Sequence, residues 1–221
     1  SIVTTEMARA AAEKNGVECF DTFTGFKFLA EKIKQFEQDG SHEYIFAFEE
    51  SYGYLVGTHA RDKDAIVATM LCVEMASYYA QKGMDLYEAM DALYKKYGYY
   101  LNGTVNASFP GESGAQKMAG IMSGLRENPP AEIGGFKVVG MTDYATCAEM
   151  PRVSGLQKEA AQELPAANVI EFRLEDDNKV IFRPSGTEPK VKVYIMAKGE
   201  NKAEAAEKVE ALTAAAKEIV K

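Results

Sequence analysis

Cysteine, histidine and long apolar runs are all scarce in this sequence of 221 residues. The three cysteines (Cys19, Cys72 and Cys147) are far apart and form no Cys-x-x-Cys pair, and there are only 2 histidines. This pattern excludes a disulfide framework and argues against a structural zinc site. The best candidate for a membrane span, Ala65–Val73, ends at Glu74, well short of the ~18 residues required. We therefore expect reduced thiols, a cytoplasmic location and no membrane contact.

Positive charge is also in short supply. The 25 Lys and Arg residues are outnumbered by 33 Asp and Glu residues, which gives a net charge of −8. A protein that binds a nucleic-acid duplex needs a basic face, so we expect no nucleic-acid partner. What the sequence does contain is 47% hydrophobic residues, enough for the core of one large or two ordinary domains.

The first part of the chain alternates short apolar segments with amphipathic helices, which is typical of a layered α/β sheet. The expected strands are Ile2–Thr4, Val17–Phe20 and Tyr44–Phe48, and the last is apolar throughout, as in a strand buried on both faces. Five helices are expected. The first carries Met7 and ends at Asn15, and the second carries Phe26 with Thr24 as its N-cap. The others are Asp62–Gln81, Asp85–Tyr97 with the capping pair Asp85 and Glu88, and a helix that begins at the capping pair Ser113 and Gln116.

A change of composition at Pro129 and Pro130 predicts a domain boundary, which divides the chain into residues 1–128 and 129–221. Beyond it we expect a strand at Phe136–Val139 and a polar surface stretch over Thr142–Ala167. A hairpin and one further strand then lead to a terminal helix capped by Asn201. The hairpin strands are Val169–Leu174 and Lys179–Phe182, and the further strand is Val191–Ala197. Strands that lead into one helix indicate a small α+β domain.

The segment Arg183–Lys190, which we call the cationic loop, has the composition of a phosphate site. Hydroxyls at Ser185 and Thr187 flank Gly186, whose backbone can approach a ligand closely. Arg183, Lys190 and Lys192 surround them with positive charge. Hydroxyl donors, free N–H groups and a guanidinium fork suit a phosphate monoester. An ordinary tight turn is the alternative.

The segment Phe48–Gly53, which we call the acidic loop, follows the expected strand Tyr44–Phe48. Ligands of open α/β sheets bind at the carboxyl ends of strands, and carboxylates accept hydrogen bonds from sugar hydroxyls. Glu49, Glu50 and Ser51 therefore indicate a sugar site, with a solvated turn as the alternative. A glycosidase is disfavoured, because adjacent carboxylates do not flank a bond from two sides.

Two further segments carry weaker signals. Thr24, Gly25 and Lys27 lie at a predicted helix N-terminus, where free N–H groups form a polar contact surface or a plain cap. His59 and Lys63 follow the acidic loop and can act as general acid or base, or simply form a solvated helix start.

Together the four segments, with the sequences TGFK, FEESYG, ARDKD and RPSGTEPK, resemble the C-terminal half of the α-D-phosphohexomutases, most closely the phosphoglucomutase and phosphomannomutase branch. The resemblance implies that residues 1–128 form the family's third domain, a three-layer α/β/α unit without its beginning. Residues 129–221 would then form its fourth domain, an antiparallel sheet with helices like that of the TATA-box-binding protein.

This resemblance also implies a reaction. The family transfers a phosphoryl group between the 1- and 6-positions of a hexose through a phosphoserine and a hexose 1,6-bisphosphate intermediate, with Mg²⁺. By the same resemblance, Arg183, Ser185, Gly186, Thr187 and Lys192 bind phosphate. Glu49, Glu50 and Ser51 bind the sugar together with Thr24, Gly25 and Lys27, and Lys63 or His59 transfers protons.

The family's Thr-Ala-Ser-His-Asn-Pro nucleophile loop and Asp-Gly-Asp-x-Asp-Arg metal loop are absent from this sequence. We therefore expect no metal ligands here, and an inactive C-terminal piece whose partners are a hexose phosphate and the missing N-terminal domains. A start at Ser1 in an expected mid-strand agrees with a fragment. A free-standing phosphosugar-binding module is the alternative, and glucose and mannose both remain candidate sugars.

Overall fold

The computed structural model describes residues 1–146, 148–151 and 164–221. Contacts between Cα atoms divide the chain into two units, Ser1–Tyr97 and Gly98–Lys221. The expected boundary after residue 128 does not coincide with this division. Strand Tyr99–Ser108 pairs with Lys190–Gly199 over its whole length, and the helix before Pro129 packs into the core of the second unit. The two prolines end that helix without separating it from the unit.

The first unit contains four helices and a short hairpin. They are α1 (Glu6–Lys14), α2 (Phe26–Asp39), β1 (Ala47–Glu49), β2 (Gly53–Leu55), α3 (Ala65–Gln81) and α4 (Leu86–Tyr97). The apolar face of α2 packs on the hairpin in a small core of Phe26, Leu29, Ile33, Ala47 and Leu55. The α4 capping prediction is confirmed, because Glu88 N–H donates to the Asp85 carboxylate and Asp85 N–H donates to Glu88.

Two of the three strand predictions in the first unit are wrong, and the third is confirmed only in part. Ile2–Thr4 forms a turn, in which Ile2 N–H donates to the Thr22 carbonyl at 2.9 Å. Val17–Phe20 is not a strand in the structure. The third strand begins at Ala47 rather than Tyr44, and its partner is the antiparallel β2. The predicted range is not buried on both faces, since Ile45 and Phe46 within it are 58% and 44% exposed.

The described residues of the second unit form a seven-stranded antiparallel sheet and two α-helices. Its elements are β3 (Tyr99–Ser108), α5 (Gly114–Glu127), β4 (Glu132–Ile133), β5 (Phe136–Asp143), β6 (Ala148–Pro151), β7 (Ile170–Leu174), β8 (Lys179–Pro184), β9 (Lys190–Gly199) and α6 (Lys202–Ile219). The strand order is β3-β9-β8-β7-β5-β4, with β6 paired to β5. The mixed α/β fold class is thus confirmed.

Local details of the second unit agree only in part with expectation. The Asn201 side chain caps α6 by accepting a hydrogen bond from Glu204 N–H, as predicted. Ser113 precedes α5 but makes no side-chain capping bond. The predicted polar stretch over Thr142–Ala167 contains the end of β5 and β6, while Cys147 and residues 152–163 lie outside the described residues. A large core between sheet and helices includes Phe172, Phe182 and Leu212.

Candidate functional site

Glu49 at the end of β1 lies inside the first unit, not on its surface. Its side chain is 4% exposed, and its carboxylate accepts a hydrogen bond from Gly25 N–H. Gly25 has a φ of 119°, a conformation that side-chain-bearing residues rarely adopt. Gly25, rather than the expected Thr24, is therefore the N-cap of α2, and its backbone is fastened to the acidic loop by Glu49.

Lys63 lies against the same carboxylate. Its ammonium is 3.9 Å from Glu49 Oε2 and 4.7 Å from the centre of the Phe26 ring. Gly53 makes room for this packing, because a Cβ at Gly53 would lie 2.9 Å from Lys63 Cγ and 2.5 Å from Phe26 Cε2. The structure thus brings together Gly25, Glu49 and Lys63, which come from three separate segments of the chain.

Glu50 and Ser51 are exposed, unlike Glu49. The Glu50 carboxylate accepts hydrogen bonds from the hydroxyls of Ser1 and Thr4, at 3.3 and 3.4 Å. The two adjacent carboxylates therefore differ in environment. That of Glu49 is enclosed by the protein, and that of Glu50 is held at the surface by hydroxyl groups. Ser51 makes no hydrogen bond with any residue that the structure describes.

The remaining candidates of the first unit surround this centre less closely. Thr24 is half-buried, and exposed Lys27 lies 4.7 Å from the centre of the Phe28 ring. His59 Nε2 is 2.7 Å from the carboxylate of Asp64, which also accepts hydrogen bonds from Ile66 and Val67 N–H as the N-cap of α3. The Val67 N–H bond, followed by the His59 contact, lowers the pKa of Asp64. His59 is therefore engaged at a helix cap, whereas Lys63 lies beside Glu49.

The cationic loop of the second unit is a tight connection between β8 and β9. Ser185 N–H donates to the Lys190 carbonyl at 2.8 Å. The Ser185 hydroxyl oxygen accepts bonds from Thr187 N–H at 3.4 Å and Glu188 N–H at 3.2 Å. A Cβ built on Gly186 would meet no atom within 4 Å. The packing of this loop thus does not require glycine at position 186, and Gly186 is exposed.

Positive charge around this loop has no ion-pair partner in the part of the chain that the structure describes. Arg183 on β8 pairs in register with Lys192 on β9, so the two cations lie directly opposite each other on one face of the sheet. Within the described ranges, no carboxylate lies within 4.0 Å of the charged groups of Arg183, Lys190 or Lys192. Like charges placed across from each other are destabilising unless an anion joins them.

Asn106 is a site residue that the sequence did not reveal. It lies on β3 opposite Lys192, and so extends the row of Arg183 and Lys192 across a third strand. Its side chain is exposed, and its amide can donate to an anion on that face. No motif signals it, because its position depends on the pairing of two strands far apart in sequence.

Neither a metal centre nor a membrane helix emerges from the described ranges. They contain no group of three His, Cys, Asp or Glu side chains that can hold a metal ion, so the Mg²⁺ implied by the resemblance finds no ligand set there. Among the helices that the structure describes, none has the length and apolar character needed to span a bilayer.

Comparison with known proteins gives matches along most of the chain. The family model described as "Phosphoglucomutase/phosphomannomutase, alpha/beta/alpha domain III" matches residues 1–97. The model described as "Phosphoglucomutase/phosphomannomutase, C-terminal domain" matches residues 143–216. The first match ends at the same residue as the first structural unit.

Curated relatives of this chain include proteins named phosphoglucomutase from Staphylococcus aureus. Those of strain bovine RF122 / ET3-1 and strain MSSA476 are 38% and 37% identical over 214 residues. Another, from strain N315, is 36% identical over the same length. Each match covers 96% of this chain but only 38% of the relative. The chain therefore spans less than half of the length of these curated relatives.

Proposed function

Because the chain belongs to the phosphoglucomutase/phosphomannomutase family and carries its α/β/α domain III and C-terminal domain, we propose that it binds a hexose phosphate. In the whole protein it would serve an isomerase that interconverts hexose 1-phosphate and hexose 6-phosphate. The observation that carries this proposal is the positive charge of Arg183 and Lys192, which has no ion-pair partner among the residues that the structure describes. A phosphate group would satisfy both cations at once.

The cationic loop binds the phosphate. The Arg183 guanidinium offers a bidentate fork, and Lys192 adds a second charge on the same face. Exposed Gly186 carries no side chain that would keep a ligand from its backbone N–H, and the Thr187 hydroxyl adds a donor. Ser185 contributes mainly by shaping the loop, since its hydroxyl oxygen already accepts two backbone N–H groups.

The acidic loop binds sugar hydroxyls. Ser51 and Glu50 are exposed and present the polar contact, while the buried Glu49 carboxylate holds the loop in place through Gly25 N–H. Thr24, Gly25 and Lys27 border the loop through the bond between Gly25 and Glu49. Lys63 is the better candidate for proton transfer, because its ammonium lies beside Glu49 of the acidic loop, whereas His59 is bound to Asp64 at the N-cap of α3.

We assign the phosphoserine, the bisphosphate intermediate and Mg²⁺ to the part of the protein that corresponds to the remaining length of the relatives. This sequence contains neither the serine loop nor the aspartate loop. Phosphoryl transfer needs an acceptor and neutralisation of phosphate charge. We therefore expect the chain alone to bind glucose 1-phosphate without converting it to glucose 6-phosphate.

The test is a binding titration of the 221-residue chain with inorganic phosphate and with glucose 1-phosphate, followed by NMR. We expect Arg183→Ala to weaken the binding of both ligands at least about tenfold, since a charge-assisted contact is lost. Lys34→Ala, which removes an exposed lysine of α2, is the control and should leave both affinities unchanged. Equal affinity in wild type and Arg183→Ala would refute the phosphate-site assignment.

A free-standing phosphosugar-binding module, whose candidate loops would bind the ligand without converting it, is the second candidate. The coding sequence upstream of Ser1 distinguishes the two. A serine loop and an aspartate loop encoded in frame support the enzyme, whereas a stop codon or an unrelated domain supports the module.

A further inference from the structure

Tyr52 occupies an unusual position at the tip of the turn between β1 and β2. Its backbone φ is 59°, and its side chain is 89% exposed. A bulky residue with positive φ is a genuine outlier, since its Cβ crowds the backbone in that region. The next residue, Gly53, is the one that the packing of Phe26 and Lys63 requires to be glycine, so the strain at Tyr52 is separate from that constraint.

The Tyr52 ring has no contact with the described residues that would stabilise the fold. Within the part of the chain that the structure describes, it makes no ring contact and no hydrogen bond. Its neighbours in the same hairpin behave differently, because the rings of Phe48 and Tyr54 stack at 6.4 Å with an interplanar angle of 5°. A strained backbone and an exposed ring both oppose folding, and such outliers concentrate at functional sites.

The location of Tyr52 indicates what the ring is for. It directly follows Ser51 and lies three residues from Glu49. A hexose has hydroxyls at its edge and an apolar face of C–H groups. Ligand sites combine a few polar groups with aromatic surface that covers the apolar part of the ligand. Glu50 and Ser51 supply polar groups, and the exposed ring supplies the aromatic surface.

We propose that Tyr52 is a sugar-binding residue whose ring packs against the C–H face of the hexose. This inference rests on the proposed function and adds a residue to it. The ring, rather than the phenol hydroxyl, makes the contact. The positive φ holds the ring out at the tip of the turn, where a sugar held by the acidic loop would meet it.

The experiment compares three variants of the 221-residue chain. Tyr52→Phe keeps the ring and removes the hydroxyl, and Tyr52→Gly removes the ring while allowing positive φ without strain. Tyr87→Ala is the matched control, because Tyr87 on α4 is 86% exposed but lies outside the acidic loop. Each variant is titrated with glucose 1-phosphate and with inorganic phosphate, and the sugar C–H resonances are followed by NMR.

We expect Tyr52→Gly to weaken glucose 1-phosphate binding about threefold to tenfold, the range expected for an aromatic contact. Its affinity for inorganic phosphate should be unchanged and its Tm not lowered. Tyr52→Phe and Tyr87→Ala should bind within twofold of wild type. The upfield ring-current shift of the sugar protons should persist in Tyr52→Phe and vanish in Tyr52→Gly.

Two outcomes would overturn the inference while leaving the proposed function intact. In one, Tyr52→Gly binds glucose 1-phosphate as tightly as wild type. In the other, Tyr52→Phe is as weak as Tyr52→Gly, which would assign the contact to the hydroxyl. If wild type binds glucose 1-phosphate no more tightly than inorganic phosphate, the sugar site of the proposed function fails, and the role of Tyr52 fails with it.

Discussion

The two candidate loops hold their charges in opposite ways. In the first unit, the Glu49 carboxylate is 4% exposed and already bound by Gly25 N–H and approached by Lys63. In the second unit, Arg183 and Lys192 face each other with no carboxylate near them among the described residues. The Glu49 carboxylate thus stabilises the acidic loop through its contacts with Gly25 and Lys63. In the cationic loop, the repulsion between Arg183 and Lys192 is destabilising unless an anion is bound.

This difference distinguishes a residue that stabilises the folded site from residues whose charge is neutralised by a bound ligand. A buried carboxylate must be hydrogen-bonded, because an unsatisfied buried charge is costly. Truncating Glu49 therefore affects the fold as well as the ligand. Arg183 and Lys192 are half-buried and have no ion-pair partner among the described residues. Such a cation contributes little to folding, so its removal should affect mainly binding. Stability measurements can test the distinction without any substrate.

The largest effect is expected for Glu49→Ala. The substitution removes the acceptor of Gly25 N–H and the anion beside Lys63, so the free energy of unfolding should fall by about 2 kcal/mol. Glu49→Gln, which retains an acceptor oxygen, should lose less. Urea denaturation of the chain measures both changes.

Glu50→Ala and Arg183→Ala are the controls for that measurement. Glu50 is exposed and Arg183 is half-buried without an ion pair among the described residues, so each should change the free energy of unfolding by no more than about 0.5 kcal/mol. A larger loss in Arg183→Ala than in Glu49→Ala would reverse the comparison between the loops.

An intermediate effect is expected for Lys192→Gln, with opposite signs in folding and binding. Removing one of two like charges across the β8–β9 pair should raise the free energy of unfolding of the ligand-free chain by about 0.5 kcal/mol. The same variant should bind phosphate about threefold more weakly. Urea denaturation with and without phosphate reports both quantities, since a bound ligand stabilises the folded state.

Lys34→Gln, on exposed α2 surface, controls for the loss of one positive charge anywhere in the chain. Lys34→Gln should change neither the free energy of unfolding nor the affinity for phosphate. A ligand-free Lys192→Gln chain that is less stable than wild type would mean that Lys192 supports the sheet rather than strains it.

Local signals in the sequence predicted local structure in part, since Ser113 makes no capping bond and Gly25 rather than Thr24 caps α2. The Asp85–Glu88 pair and the Asn201 cap are formed as expected, because each involves residues three apart whose bonds do not depend on the rest of the chain. The hairpin strands β7 and β8 were also recognisable, since they are close in sequence and rich in apolar residues.

Predictions that depended on distant partners fared worse. Val17–Phe20 has the composition of a strand but forms none, because a strand needs a ladder as well as a suitable sequence. The domain boundary differs because the pairing of Tyr99 with Gly199 joins β3 to the second unit. No pattern around Pro129 contains that information.

The same division applies to the candidate site. Residue types and short motifs were enough to select Glu49, Lys63 and Arg183 as candidate site residues, since the chemistry of a side chain follows from its residue type. Their environments were not predictable. The burial of Glu49 follows from packing against α2, and the alignment of Asn106 with Lys192 follows from strand register.

The smallest effect concerns pH and the engagement of His59. Hydrogen bonds from Val67 N–H and then from His59 lower the pKa of Asp64 below its ordinary value of 3.8. The ionised cap therefore stabilises the fold above pH 3.8, and this contribution is lost as the pH falls through the lowered pKa of the folded state. Asp64→Asn retains a capping oxygen but does not titrate, so its Tm should depend less steeply on pH below 3.8 than that of wild type.

His59→Ala distinguishes the two causes. Since the backbone bond from Val67 is the larger one, His59→Ala should keep most of the wild-type pH dependence of Tm, and Asp64→Asn should lose most of it. The reverse order would make His59 the main partner of Asp64. An unchanged pH dependence in both variants would show that Asp64 is not the titrating group, and would leave His59 free to compete with Lys63 as the proton-transfer residue beside the acidic loop.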